Sequence, residues 1–243
     1  MKTVEAIWEK RNLGIDVVEI ACSEQDTCTQ LEDEIKNLCV PYSVIKIPSG
    51  CTDLLQVAQD YGYKVAEMGI ELWGNERCLH TPEIYHRFTK HLRMEKAEGP
   101  ILDRVLNEIK RGGIFSTDRI ALDPFFSKEL AGVRYYNWTK DVLAEDGDIY
   151  IFNYKDQPVA FNLSKPLKDN RDIIDGILGG LLPEAENKGL GFLVVYGENE
   201  IRKYNNAKAC VGRVSSNNLP IFRLHLQFGY EVKNMSYVLT KHS

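Results

Sequence analysis

The run Ile173-Ile174-Asp175-Gly176-Ile177-Leu178-Gly179-Gly180-Leu181-Leu182 leads without a break into Pro183-Glu184-Ala185-Glu186-Asn187-Lys188-Gly189-Leu190-Gly191. The first ten residues are almost continuously apolar, as in a strand buried on both faces, with glycines where backbone or ligand must come close. The last nine form a glycine-containing turn, and helical periodicity runs from Gly189 to about Tyr204. A strand that feeds such a turn and then a helix aims several backbone N–H groups, and the positive end of the helix dipole, at one point. Phosphate binds at such points. Gly189 and Gly191 remove side chains that would keep a pyrophosphate away, and Lys188 adds positive charge. The same residues also suit a strand-to-helix junction in which glycine serves only the turn.

Downstream lies Asn218-Leu219-Pro220-Ile221-Phe222-Arg223-Leu224-His225-Leu226-Gln227-Phe228-Gly229-Tyr230. Asn218 falls at the end of a strand and His225 two helical turns later, so both reach the cleft at the strand ends. A neutral histidine that titrates near neutrality can protonate a departing group, and it can equally fill space between helix and sheet.

The stretch around His225 has an internal counterpart. Asp53 to Leu72 aligns with Pro220 to Leu239 at constant offset, pairing Gly62 with Gly229, Tyr63 with Tyr230, Val65 with Val232, Met68 with Met235 and Leu72 with Leu239. Each copy reads as a helix stopped by glycine, then an alternating strand. The preceding strands, over 42–47 and 209–214, correspond as well. This is the signature of a duplication.

The rest of the chain predicts strand (17–22) and helix (26–39) before the first copy. Thr81-Pro82-Glu83 then opens a connecting helix. Strand 92–97 and helices 101–111 and 125–143 follow, then strands 149–154 and 158–164 joined as a hairpin through Asp156-Gln157. The result is an α/β arrangement of mixed sheet. With 243 residues and 44% hydrophobic content the chain can bury a substantial core. A net charge of −5 with both signs interspersed gives no footprint for nucleic acid or anionic lipid. No segment approaches the roughly 20 apolar residues of a membrane helix, and the first ten residues do not read as a signal peptide. These features point to a cytoplasmic protein with small-molecule partners. The six cysteines form no C-x-x-C pair and the five histidines show no ligand spacing with them, so the expectation is reduced thiols and no metal.

Leu181-x-Pro183-x-x-Glu186-x-x-Gly189-x-Gly191, followed by Asn218-x-x-Ile221-x-x-Leu224-His225-x-x-x-Gly229-Tyr230, resembles the paired signature of the GNAT acetyltransferases. The resemblance implies a GNAT fold, with a mixed central β-sheet flanked by helices, preceded by a truncated GNAT-like half-domain. The boundaries implied are 1–78 for the half-domain, 79–91 for the connecting helix and 92–243 for the catalytic domain. It implies acetyl-CoA as co-substrate, its pyrophosphate cradled by Asn187, Lys188, Gly189, Leu190 and Gly191. The backbone of Leu181 and Leu182 would pair with the pantetheine arm, which Asn218 would also contact. His225 falls where the family usually has a tyrosine acid for the CoA thiolate.

Among GNAT branches the chain is most similar to the sugar-nucleotide acetyltransferases related to dTDP-fucosamine acetyltransferase. That similarity rests on Thr117 to Pro124, on Arg134-Tyr135-Tyr136-Asn137-Trp138, and on Trp8 and Glu9. It implies Asp118, Arg119, Arg134, Tyr135 and Trp138 as acceptor-binding residues, although the same helices also read as faces of a lid. Three departures stand out: Glu186 replaces the loop's usual arginine or glutamine, His225 replaces tyrosine, and Ala58 occupies the matching place in the first copy. The mechanism implied is direct transfer, a neutral primary amine attacking the thioester. His225 acts as acid and Asp175 is the leading candidate base, with Glu184 or a water chain as alternatives. An amino acid, polyamine or antibiotic acceptor, or an acyl-CoA-binding module without turnover, also fits, and a homodimer is left open.

Overall fold

In the computed structural model, which describes residues 1–185 and 188–243, all ten described strands join one sheet. They are β1 (Lys2–Glu5), β2 (Val17–Ala21), β3 (Tyr42–Pro48), β4 (Lys64–Asn75), β5 (Leu92–Lys96), β6 (Asp148–Tyr154), β7 (Gln157–Leu167), β8 (Asn170–Leu181), β9 (Ala209–Ser215) and β10 (Glu231–His242). Their spatial order is β1-β2-β3-β10-β4-β9-β8-β7-β6-β5. Only β2 with β3 and β8 with β9 run parallel, which makes the sheet mixed.

Among the described residues nine helices flank it: α1 (Ile7–Leu13), α2 (Cys28–Asn37), α3 (Thr52–Asp60), α4 (His86–Thr89), α5 (Gly99–Arg111), α6 (Arg119–Leu122), α7 (Lys128–Glu145), α8 (Leu193–Tyr204) and α9 (Leu219–Gln227). Local sequence explains their ends. Thr27 and Gln30 close a reciprocal capping box at the start of α2. Gly112 stops α5 at φ 77°. Lys155 and Asp156, both at positive φ, make the tight turn of the β6–β7 hairpin.

Strand alternation sorts the core into two layers. In β6, Ile149 and Ile151 pack with α5 and α7, whereas Tyr150 and Phe152 face the layer of α8 and α9. The first part of the chain continues both layers: Ile20, Ile45 and Ile47 meet α2 and α3 on one face, and Val17, Tyr42 and Val44 pack with Ala6 and Ile120 on the other.

The repeat has a tertiary meaning that its sequence does not display. β3–α3–β4 and β9–α9–β10 begin and end at corresponding positions throughout. Each copy, however, sends its last strand into the other. β4 pairs with β9, β10 pairs with β3, and the two crossing strands pair with each other. The registers match under the same offset: Gly69↔Ser215 answers Ser236↔Pro48, and Asn75↔Ala209 answers His242↔Tyr42. Even the bulges match, with Ala66 the extra residue in β4 and Lys233 the extra residue in β10. Gly69 lies opposite Ser236, so a pseudo-two-fold axis normal to the sheet passes between them.

Three expectations change. The connecting segment 79–91 is not one helix. A tight turn at Glu83–Tyr85 leads into the four residues of α4, because Pro82 is extended at ψ 141° and the aromatic side chains are held elsewhere. Tyr85 stacks on Phe192 at 4.3 Å and Phe88 packs near the same ring, which pins the segment over the α8–α9 layer. The helix expected from Gly189 begins at Leu193, and the one expected at 125 begins at Lys128. β1 and α1, too short for periodicity to reveal, add an edge strand and a helix at the start.

Candidate active site

The site is built on a break in the sheet. β8 and β9 pair from Ile173↔Ala209 to Gly176↔Gly212, and there the pairing stops. On the other side of β8, Leu163 faces Leu178 and Ser164 faces Gly176, so Ile177 is an extra residue. A bulge bends the strand that carries it, and here β8 leaves β9. From Ile177 to Leu181 the β9-facing edge of β8 has no strand partner among the described residues, while β9 stays with β4 up to Ser215. The strands therefore form a V whose apex is Gly176 and Gly212.

A cavity of about 820 Å³ opens onto this V. One wall carries Trp8, Arg134, Tyr135 and Trp138 from α1 and α7; through the gap the cavity reaches Glu198 of α8 and His225 of α9 on the other layer. At the apex, missing side chains make room. A Cβ on Gly176 would lie 3.1 Å from the Glu198 carboxyl carbon, and one on Gly212 would lie 3.4 Å from both Glu198 Oε2 and His225 Nε2.

Glu198 and His225 are 9% and 2% exposed, and their polar atoms are mutually engaged. Tyr230 Oη donates to Glu198 Oε2 at 2.7 Å and also lies 3.1 Å from the Cys210 thiol. His225 Nδ1 sits 2.9 Å from the Ile221 carbonyl, so this nitrogen carries a hydrogen; Nε2 faces the Glu198 carboxylate at 3.4 Å. Burial alone would keep the imidazole neutral. The adjacent Glu198 charge and its hydrogen bond outweigh that, and the His225 pKa is raised above 6.5. Both ring nitrogens of the histidine expected as the acid are therefore engaged, one by a carbonyl and one by a carboxylate. Burial also pushes the Tyr230 hydroxyl well above 10, leaving it a donor to Glu198.

The carboxylates expected as bases are occupied. Asp175 lies near the apex with its Oδ1 2.6 Å from Arg213 of β9, so a proton arriving there would break an ion pair. Glu184 is bound by Arg104 of α5, which outweighs desolvation and lowers its pKa.

In the predicted phosphate loop, Gly189 adopts φ 69°, the left-handed region that favours glycine, and a Cβ at Gly189 or Gly191 would meet open space. Leu190 is buried and anchors the turn, while the exposed Lys188 reaches Gln157. α8 starts after this turn with no side chain capping it. Asn187, expected in the cradle, and Glu186 lie outside the described residues. The Leu182 N–H donates to Val159, so it is not available to a ligand, and of the two leucines only Leu181 lies on the unpaired edge. Asn218 lines the cavity and caps α9 through its side-chain oxygen, 3.4 Å from Ile221 N.

Asp118, Arg119, Arg134, Tyr135 and Trp138 all line the same cavity, but four of them are tied into one network. Glu9, 1% exposed, accepts from Arg119 at 2.9 Å and from Arg134 at 2.8 Å. Asp118 accepts from Tyr135 at 2.9 Å and lies 3.6 Å from Arg134. Glu9 and Asp118 thus stand as counter-charges to the two guanidinium groups, while Arg119 Nη1 is buried without a hydrogen-bond partner among the described residues. Trp138, 40% exposed, remains open.

Glu198 was missed from the sequence, although a signal was present. It stands four residues after Val194, three after Val195 and three before Ile201, on the buried stripe of its helix. Among the described residues no group of three or more His, Cys, Asp or Glu side chains is arranged to hold a metal ion, and no helix is long and apolar enough to cross a membrane.

No protein-family model matches the chain, and no curated protein matches its sequence. Solved structures do. A GCN5-related N-acetyltransferase from Kribbella flavida is 15% identical, with 93% of this chain and 81% of that one covered at a TM-score of 0.57. A functionally unknown conserved protein from Staphylococcus epidermidis superposes at a TM-score of 0.62 with 12% identity, covering 94% and 84% of the two chains. A tandem GNAT protein from the clavulanic acid biosynthesis pathway is 9% identical, covering 83% and 64% at a TM-score of 0.53. At such identities the likeness speaks for the fold. Together with the large mixed sheet flanked by helices, it gives this chain the α/β fold of the GNAT N-acetyltransferases.

Proposed function

We propose that the chain is an acetyl-CoA-dependent N-acetyltransferase that moves the acetyl group directly onto a primary amine of a small molecule. The observation that carries this reading is the V between β8 and β9. Its unpaired edge from Ile177 to Leu181 points toward an open glycine turn at Gly189, and a deep cavity lies beside it. A bare strand edge suits the amide groups of a pantetheine arm, and a glycine turn before an uncapped helix suits a pyrophosphate. Leu181, Lys188, Gly189, Leu190, Gly191 and Asn218 would hold the co-substrate. Joining both reactants at the apex supplies orientation, the main contribution in a direct transfer. His225 would protonate the leaving sulfur, and Asp175 with Arg213 would keep the apex charged and ordered.

For the acceptor, the resemblance points to an amino-sugar nucleotide. Trp138 and Tyr135 offer it aromatic surface, while Asp118, Arg119 and Arg134 shape the wall through their network with Glu9. Because those arginines are already balanced, amino acids and polyamines belong on the same acceptor panel.

Calorimetry with acetyl-CoA tests the reading. Wild type binds; Gly189→Glu, which places a strained residue and a carboxylate in the turn, does not bind. In a thiol-release assay His225→Phe retains binding and loses turnover by on the order of 100-fold, the usual scale of general acid catalysis. A wild type that ignores acetyl-CoA would sink the proposal.

A further inference from the structure

We propose that Glu198 is the proton acceptor for the incoming amine and forms, with His225, a proton relay seated at the apex of the β8–β9 opening. The inference rests on the acyl-transfer reading above.

Three observations converge on it. First, Glu198 is a buried carboxylate beside Val194, Val195 and Ile201 on the buried face of its helix, where an apolar side chain would pack against the sheet without desolvation cost. Second, the sheet is open for it: glycines stand at both apex positions, in contact range of its carboxyl group. Third, it reaches the cavity that holds the candidate acceptor residues and its own partner is His225, which can exchange a proton, whereas Asp175 is paired with Arg213 and Glu184 with Arg104, guanidinium groups that cannot. The groups that face His225 are Glu198 from α8, the ring of Tyr230 before β10 and the Ile221 carbonyl within α9; Cys210 of β9 lies behind Tyr230. Arg202, one turn beyond Glu198, is held by Asn199 and the Ala207 carbonyl. Glu198 is thus the anion against the imidazole.

The relay balances. The ammonium gives one proton to Glu198 and becomes a neutral amine. Its nitrogen forms the bond to the thioester carbonyl carbon, the C–S bond breaks, and the nitrogen loses its second proton to water. The His225 imidazolium gives its Nε2 proton to the thiolate, and protonated Glu198 returns a proton to His225. The products are the amide, the free thiol and one proton in solution.

The test pairs a substrate-free measurement with a kinetic one on the full chain. A nitrogen-15 NMR titration of the His225 ring should show a higher pKa in wild type than in Glu198→Gln. The same variant should bind acetyl-CoA with wild-type affinity and lose on the order of 100-fold in kcat. Tyr230→Phe guards against misfolding of the first variant. It keeps the ring and removes one donor to Glu198, so the acid limb of the pH–rate profile should move to higher pH. A His225 pKa that does not fall in Glu198→Gln, or a kcat within roughly twofold of wild type, overturns the relay. Those results require a wild type that turns over. A wild type that neither binds nor consumes acetyl-CoA overturns the transfer reading and the relay with it.

Discussion

Glu9 shows how one buried residue can tie distant parts of a chain. It sits on α1 and its carboxylate holds Arg119 of α6 and Arg134 of α7. Asn137 of α7 adds a bond to Asn12 at 2.7 Å. Burial raises the Glu9 pKa, but the two arginines outweigh it and hold it below its ordinary 4.5. The stability it contributes is therefore fully present above pH 4.5 and is lost as pH falls through the lower folded value. Glu9→Gln leaves Arg119 without its counter-charge and Arg134 with Asp118 alone, and should cost about 3–5 kcal/mol, read as a lower urea midpoint at neutral pH. A midpoint unchanged by the substitution would mean that water, rather than Glu9, solvates the arginines. His225 has the opposite sign. Its folded pKa is raised, so its contribution is complete below 6.5 and fades as pH rises through the folded value.

At the scale of elements, the duplication allows one substitution to be compared with itself. Gly62 and Gly229 end equivalent helices at φ 86° and 89°. A methyl group on Gly62 would find only the Lys241 side chain at 3.9 Å, whereas one on Gly229 would collide with the backbone carbonyl of Cys78. Gly62→Ala should cost about 1–2 kcal/mol, the strain of a left-handed residue alone. Gly229→Ala should add about 1–3 kcal/mol of overpacking to the same strain. Thermal denaturation of the two variants decides it: equal losses would show that the Cys78 segment yields without cost.

Over the whole molecule, the exchange of β4 and β10 makes the two copies inseparable. Without residues 1–78, β9 loses β4 and β10 loses both of its neighbours, β3 and β4. A fragment of residues 79–243 should therefore be insoluble or lack cooperative structure by circular dichroism, and co-expression with residues 1–78 should restore a folded complex. In the intact chain, urea transitions followed at Trp73, in the first copy, and at Trp138 should coincide. A fragment that folds alone and binds acetyl-CoA would show that the crossing strands are dispensable.

Much of this was legible in the sequence, because it depends on local chemistry. Glycine stops and strand alternation act over a few residues, and the hairpin read through Asp156-Gln157 turns one residue earlier, at Lys155 and Asp156. The repeat showed in residue identities, and the turn at Gly189 followed a strand as read. What the sequence left open needed distant residues to meet. The strand exchange depends on which edges find each other, and either pairing suits the same alternation. The raised pKa of His225 depends on Glu198, and the counter-charge of Arg119 and Arg134 depends on Glu9, partners that only packing brings within reach. Local residue chemistry specified most of the elements, their repeat and the residue types at the cleft. The tertiary structure decided the crossed sheet, the apex where β8 leaves β9, and which charges stand free, because burial and proximity set the energy of a charge and neither exists until the chain is folded.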